Sequence, residues 1–151
     1  MNMINSFANE MFFLSNFYPC KIEYEGIVYK NTEAAFQAQK CAAKEDRHSF
    51  SDLNPTEAKN LGRTVNLRKD WEDIKIKEMA KIIHEKFKQN PDLADKLLLT
   101  GDSYLEEGNT WGDRVWGTVN GVGANNLGRI LMNEREKIKE LLNEADYDFE
   151  K

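Results

Sequence analysis

Apolar and polar positions change period several times along this chain, and each change marks an element. In "CKIEYEGIVYK" side chains alternate on both sides of Glu25-Gly26, the signature of a tight hairpin from Cys20 to Lys30. "NTEAAFQAQKCAAKE" then turns to helix formers, with Asn31 or Thr32 as the N-cap. "NPTEAKNLG" predicts a short helix opened by Asn54 and Pro55 and closed at Gly62. From Asp70 to about Gln89, Ile76, Met79, Ile83 and Phe87 repeat at the period of an amphipathic helix. "PDLADKLLL" adds a short helix after Asn90. A last helix after Gly123 places Leu127, Ile130, Leu131, Ile138, Leu141 and Leu142 on one face, and its acidic tail from about residue 144 is expected to fray. Strands at the front with helices behind, and no βαβ alternation, predict an α+β fold: one compact, helix-rich domain over residues 1–151 with a small antiparallel sheet.

Composition narrows the function classes. A length of 151 residues with 40% hydrophobic and 11% aromatic content suits one domain with one sizeable core. No window approaches the roughly 18 to 20 apolar residues of a membrane helix, and no basic segment leads into an apolar run at the N-terminus, so a soluble, cytoplasmic protein without a membrane partner is expected. Cys20 and Cys41 then read as reduced thiols, and neither has a histidine at metal-ligand spacing. The formal charge of −5 argues against bulk attraction to nucleic acid, which needs a concentrated basic face.

Candidate chemistry gathers at four places. Glu33, Gln37 and Lys40 fall at i, i+4 and i+7, which puts a carboxylate, an amide and an amine in one row of a helix. That row is either a solvated face or the wall of a cleft in which a buried acid donates a proton and a lysine becomes nucleophilic. "GRTVNLRKDW" carries Arg63, Arg68 and Lys69 in a turn between helices, a cluster suited to a phosphate or simply an exposed basic loop. "NTWGDRVWG" sets Trp111 and Trp116 around Asp113, either as loop packing or as a grip on a planar base. In "NGVGANNLGRILM", Gly121 and Gly123 precede a helix whose free amides suit a phosphate, or else Asn125 caps that helix. Its glycine spacing does not match a dinucleotide fingerprint. Cys41 and His48 lack an orienting third group, and His84 reads as a helix-surface residue.

The order and wording of "LSNFYPC", "NTEAAFQAQK", "PTEAKNLGR", "LRKDWEDIKIKEM", "LLLTGD", "WGDRVWG" and "GANNLGRILMNER" resemble the NADAR, or YbiA-like, family from about Ser6 to Arg135. Glu33 and Lys40 match the acidic and basic positions of the family's E-x-x-x-Q-x-x-K helix, with Gln37 between them. Asn16 and Phe17 match its "SNF" segment. Arg68, Asp70, Trp71 and Lys75 match R-x-D-W-x-x-x-K. Asp113, Trp116 and Gly117 match D-x-x-W-G, and Asn125, Leu127 and Gly128 match G-x-N-x-L-G. The segment between Gly117 and Gly121 is short here, in a region where family members vary.

The resemblance implies a hydrolase of N-glycosidic bonds to ribosylated bases. Its substrates would be ribosylamino-pyrimidine intermediates of the riboflavin pathway or ADP-ribose on guanine, free or within nucleic acid. It implies no metal and no redox cofactor. Glu33, Lys40 and Asp113 would carry the chemistry, with Asn16, Phe17, Gln37, Arg63, Arg68, Trp71, Lys75, Trp111, Trp116, Gly117 and Asn125 binding substrate. Lys40 either forms a Schiff base with the sugar or holds Glu33 ionised, and Trp111 and Trp116 stack on the base. A module that binds ADP-ribose or a related nucleotide without cleaving it is the alternative. No feature selects an oligomeric state.

Overall fold

The computed structural model describes residues 2–150, with side chains through residue 145. In chain order its elements are β1 (Met3–Ile4), a 3-10 helix (Asn9–Leu14), β2 (Pro19–Tyr24), β3 (Ile27–Asn31), α1 (Thr32–Ala38), a second 3-10 helix (Lys44–Phe50), α2 (Pro55–Gly62), α3 (Trp71–Gln89), α4 (Pro91–Leu99), β4 (Tyr104–Leu105) and α5 (Asn126–Glu150). The fold is helix-rich α+β, as the hydrophobic pattern predicts. The chain contacts group it into two compact units, residues 12–90 and residues 1–11 with 91–151. No described helix is long and apolar enough to cross a membrane. Most of the acidic tail expected to fray lies outside the residues whose side chains are described.

In the unit of residues 12–90, β2 and β3 form the predicted hairpin. Glu25 and Gly26 both take positive φ, 51° and 83°, which matches the right-handed twist of the flanking strands. Ile22 pairs with Tyr29 and Tyr24 with Ile27, so these four buried residues share the face turned to the helices. Asn31 ends the hairpin and caps α1, its Oδ1 accepting the Ala34 amide at 2.7 Å. Asn54 does the same for α2 in a reciprocal capping box with Glu57. Helix α3 lays Trp71, Met79, Ile82, Ile83 and Phe87 into the core, whereas Ile76, expected on that stripe, is 37% exposed.

Two helix ends differ from the sequence reading. Helix α1 stops at Ala38 rather than running on, because the next amides close 3-10 bonds, Lys40 onto the Gln37 carbonyl at 3.1 Å, and the chain then pairs Cys41 with Leu67. Lys40 therefore sits in the turn beyond the helix, not on its face. Gly62 is the last residue of α2 but not a left-handed terminator, since the cap is Arg63 in right-handed conformation. Lys86, one heptad beyond Met79, is fully buried on α3. Its Nζ donates to the carbonyls of Phe13 at 2.7 Å and Ser15 at 3.2 Å, so the amine anchors the end of the first 3-10 helix. Burial lowers its pKa to about 8.

In the unit of residues 1–11 and 91–151, β1 and β4 pair in parallel, Met3 with Tyr104 and Ile4 with Leu105. Leu93 and Leu97 of α4 are buried, as are Leu105, Leu127, Ile130 and Leu131. The apolar face assigned to α5 ends early: Leu141 and Leu142 are exposed.

Candidate active site

The hairpin, α1 and α2 place one carboxylate out of water. Glu33 lies in the first turn of α1 and is 8% exposed, Gln37 one turn on is 5% exposed, and Gln37 Nε2 donates to Glu33 Oε1 at 2.8 Å. A solvated face is excluded for both. The Glu33 amide donates to the Asn16 carbonyl at 3.1 Å, which ties the start of α1 to the segment after the first 3-10 helix. Asn16 is itself buried, its Nδ2 against Met79 Sδ at 3.6 Å and its Oδ1 without a hydrogen-bond partner. The Gln37 Oε1 is buried without a partner as well.

Lys40 joins this group from the turn after α1. Burial is the largest influence on its ammonium and lowers its pKa; the Glu33 carboxylate pulls it back up, while the charges of Arg63 and Lys75 lower it further. The Lys40 Nζ lies 6.0 Å from the Trp71 ring. Trp71 is a core residue, 5.0 Å from the Phe36 ring, so its face serves Lys40 and the packing rather than an incoming base. The Lys40 carbonyl accepts the Arg68 amide at 2.9 Å, which fixes the predicted basic turn beside the exit of α1.

The predicted basic residues are not equally available. Arg68 holds Asp70 through two bonds, Nε to Oδ1 at 2.7 Å and Nη2 to Oδ2 at 3.1 Å, and this fork keeps the Asp70 carboxyl below its usual range. Lys75 pairs with Glu72 at 2.6 Å. Arg63 is exposed and bonded to Asn60 at 2.8 Å. Phe17 is 36% exposed, with the Lys59 ammonium 6.0 Å from its ring. Thus Glu33, Gln37, Lys40, Arg63, Trp71 and Lys75 form one neighbourhood. Glu72, absent from the sequence reading, belongs to it through Lys75 and through its pull on Lys40. Its i, i+3 spacing to Lys75 was the available signal.

In the other unit, the loop "NTWGDRVWG" is organised by Asn109, which sequence reasoning passed over. Its Nδ2 donates to the carbonyls of Asp113 at 2.8 Å and Thr118 at 3.1 Å, and its Oδ1 accepts the Asp113 amide at 3.0 Å. Asp113 Oδ1 in turn accepts the amides of Val115 at 3.0 Å and Trp116 at 2.9 Å, an Asx-type turn. Trp116 is half-buried and Trp111 is 65% exposed. Gly117 is buried where a Cβ would stand 2.0 Å from the Glu107 carbonyl oxygen.

In the glycine-rich turn Asn125 does occupy the N-cap position, its carbonyl accepting the Arg129 amide at 3.0 Å, but its side chain and the amides around it are engaged elsewhere. The amides of Ala124, Asn125, Asn126 and Leu127 donate to the carbonyls of Arg114, Gly117, Val115 and Trp116 at 2.8 to 3.2 Å, so these amides at the start of α5 are not free for a phosphate. Asn125 does not cap the helix with its side chain. Its Oδ1 accepts the Glu107 amide at 2.9 Å, and its Nδ2 donates to the Leu105 carbonyl at 2.9 Å, stitching the turn to β4.

Known proteins share this chain's sequence pattern and fold. The NADAR domain model matches residues 5–139. The N-glycosidase Npun_R5314 of Nostoc punctiforme is 37% identical over 135 residues, covering 85% of this chain and 86% of that protein. The N-glycosidase YbiA of Escherichia coli is 36% identical over 128 residues, covering 82% of this chain and 79% of that one. The riboflavin biosynthesis protein VVA0006 of Vibrio vulnificus is 40% identical over 141 residues, but the match spans only 36% of its length. The NMR structure of E. coli YbiA superposes with a TM-score of 0.81 at 34% identity, over 93% of this chain and 88% of that one. With a family model over most of its length, full-length relatives among N-glycosidases and the same fold, the chain belongs to the NADAR domain family.

Proposed function

We propose that this protein hydrolyses the C–N bond between a phosphorylated ribose and the exocyclic amine of a pyrimidine-type base, the chemistry of a riboflavin-pathway ribosylamine. The observation that carries the reading is a buried carboxylate, Glu33, clamped by Gln37 beside a lysine whose charged form burial disfavours. The name of the Vibrio relative supports the pathway, and the exposed positive charge of Arg63 near Lys40 suits the sugar phosphate.

In the ring-opened imine form of such a substrate, the unprotonated Lys40 Nζ attacks C1′ and the base amine leaves with a proton from Glu33. Water then adds to the lysine–sugar imine and releases the sugar aldehyde, so one water is consumed and the lysine is regenerated. The lowered pKa of Lys40 favours this covalent role over a purely electrostatic one.

The test is to incubate the protein with a ribosylaminopyrimidine 5′-phosphate and, separately, with ADP-ribosylated guanosine, following base release and trapping the imine with borohydride. Release of the pyrimidine with borohydride-dependent labelling of Lys40 is expected. Release from guanosine alone would move the substrate to ADP-ribosylated guanine, and binding of both without release would make the protein a nucleotide-binding module.

A further inference from the structure

Gly62 ends α2 in a right-handed conformation, so its backbone does not require glycine, and a helix generally favours alanine over glycine by about 1 kcal/mol. The reason for glycine is spatial. A Cβ built at Gly62 would stand 2.0 Å from Gln37 Oε1, 2.8 Å from Gln37 Cδ and 3.3 Å from Gln37 Cβ. The same amide group, through Nε2, holds Glu33 Oε1 at 2.8 Å, and its Oε1 has no hydrogen bond of its own.

We infer that Gly62 is a positioning residue: the missing side chain is the seat that lets the Gln37 amide reach and orient the Glu33 carboxylate. The amide lies between α2 and the acid, with one hydrogen bond on one side and only van der Waals contact on the other. A methyl group at Gly62 meets the mobile end of a flexible side chain rather than backbone, so the amide is what gives way. This inference rests on the hydrolase reading for its effect on turnover, but its geometric half does not.

The experiment compares Gly62→Ala, Gln37→Ala and the double variant. Losing a catalytic group's alignment by about an ångström costs on the order of a hundredfold, so Gly62→Ala is expected to lower kcat by about 10- to 100-fold with KM within about twofold of wild type. Its melting temperature should fall by no more than the few degrees that one displaced buried hydrogen bond costs, and the Gln37 side-chain amide resonances should move. In the Gln37→Ala background the same substitution should change kcat by less than about twofold, since the clash and the clamp are both already gone. If Gly62→Ala alone fails to fold, folding of the double variant supports the seat and failure of both overturns it. A loss of turnover that persists undiminished without Gln37, or that only tracks a lower melting temperature, also overturns the inference. Moved amide resonances with unchanged kcat would retain the seat and reject its catalytic consequence. Separately, failure of the wild-type protein to release base from either ribosylated substrate would remove the hydrolase reading, and full activity in Glu33→Gln would remove Glu33's part in it; both leave the resonance test intact.

Discussion

The two carboxylates that the sequence pairs as chemical equals, Glu33 and Asp113, are bound in opposite ways. Glu33 is buried on a helix and accepts the Gln37 side-chain N–H, beside an amine with its own pKa lowered. Asp113 sits in a loop and gives one oxygen to two consecutive backbone amides, with its main chain clamped by Asn109. An acid whose oxygen satisfies backbone amides organises a turn, because removing it leaves donors unpaired. An acid held by another side chain beside a lysine is, under the proposed function, the one suited to proton transfer. Residue type alone does not separate the two; the groups each oxygen accepts from do.

The sharpest break in this comparison is kinetic. Glu33→Gln and Lys40→Ala should each lower turnover by at least about a hundredfold with the fold intact, the usual scale for losing an acid or a covalent nucleophile. Circular dichroism with steady-state assays checks this, and near-normal rates in either folded variant would remove that residue's role. Asp113 should answer in stability instead. Asp113→Ala removes the acceptor of two amides, one exposed and one part-buried, and is expected to cost about 0.5–1.5 kcal/mol, a few degrees in melting temperature, while Asp113→Asn keeps an accepting oxygen and should melt close to wild type. A hundredfold loss of turnover in Asp113→Asn at unchanged stability would give Asp113 a chemical part as well.

The tryptophans sharpen the loop side. Trp111, at 65% exposure, should tolerate alanine within about 0.5 kcal/mol of stability, yet lose about 1–3 kcal/mol of affinity for a base that stacks on it. Unchanged affinity by calorimetry would leave Trp111 no part in stacking. Half-buried Trp116 should lose both stability and affinity in part. The smallest effect is a shift of the ascending limb of the pH–rate profile, if turnover needs neutral Lys40. Arg63 lowers the Lys40 pKa, so Arg63→Ala should move the limb to higher pH; Glu72 raises it, so Glu72→Gln should move the limb to lower pH. Shifts in the same direction would exclude Lys40 as the titrating group.

Much of the fold was legible because local rules act locally. Glu25-Gly26 demands its turn, Asn31 and Asn54 declare two caps, and the Met79, Ile83, Phe87 period survives into the core. The misses came where a distant segment decides. Helix α1 stops early because Leu67 pairs with Cys41, and Ile76 and Leu141 keep the right period but have too little packed over them. Within the candidate site, the spacing of Glu33, Gln37 and Lys40 groups residues that do lie together, but a 3-10 turn and not the helix face delivers Lys40. The pairings Arg68–Asp70 and Lys75–Glu72 mask charges that composition counts as available. The clash that keeps Gly62 a glycine involves two helices and leaves no mark in either one's pattern.

The carbonyls of residues 114–117 that receive the amides of Ala124 to Leu127 tie a loop to the beginning of a helix by its own backbone. Neither can open alone: freeing the loop strips α5 of its first acceptors, and fraying α5 leaves four loop carbonyls to solvent. In hydrogen-exchange terms the two form one cooperative unit. The amide protons of Val115, Trp116 and residues 124–127 should therefore exchange with a single opening free energy, and Asp113→Ala should accelerate all six together, including the four that Asp113 does not touch.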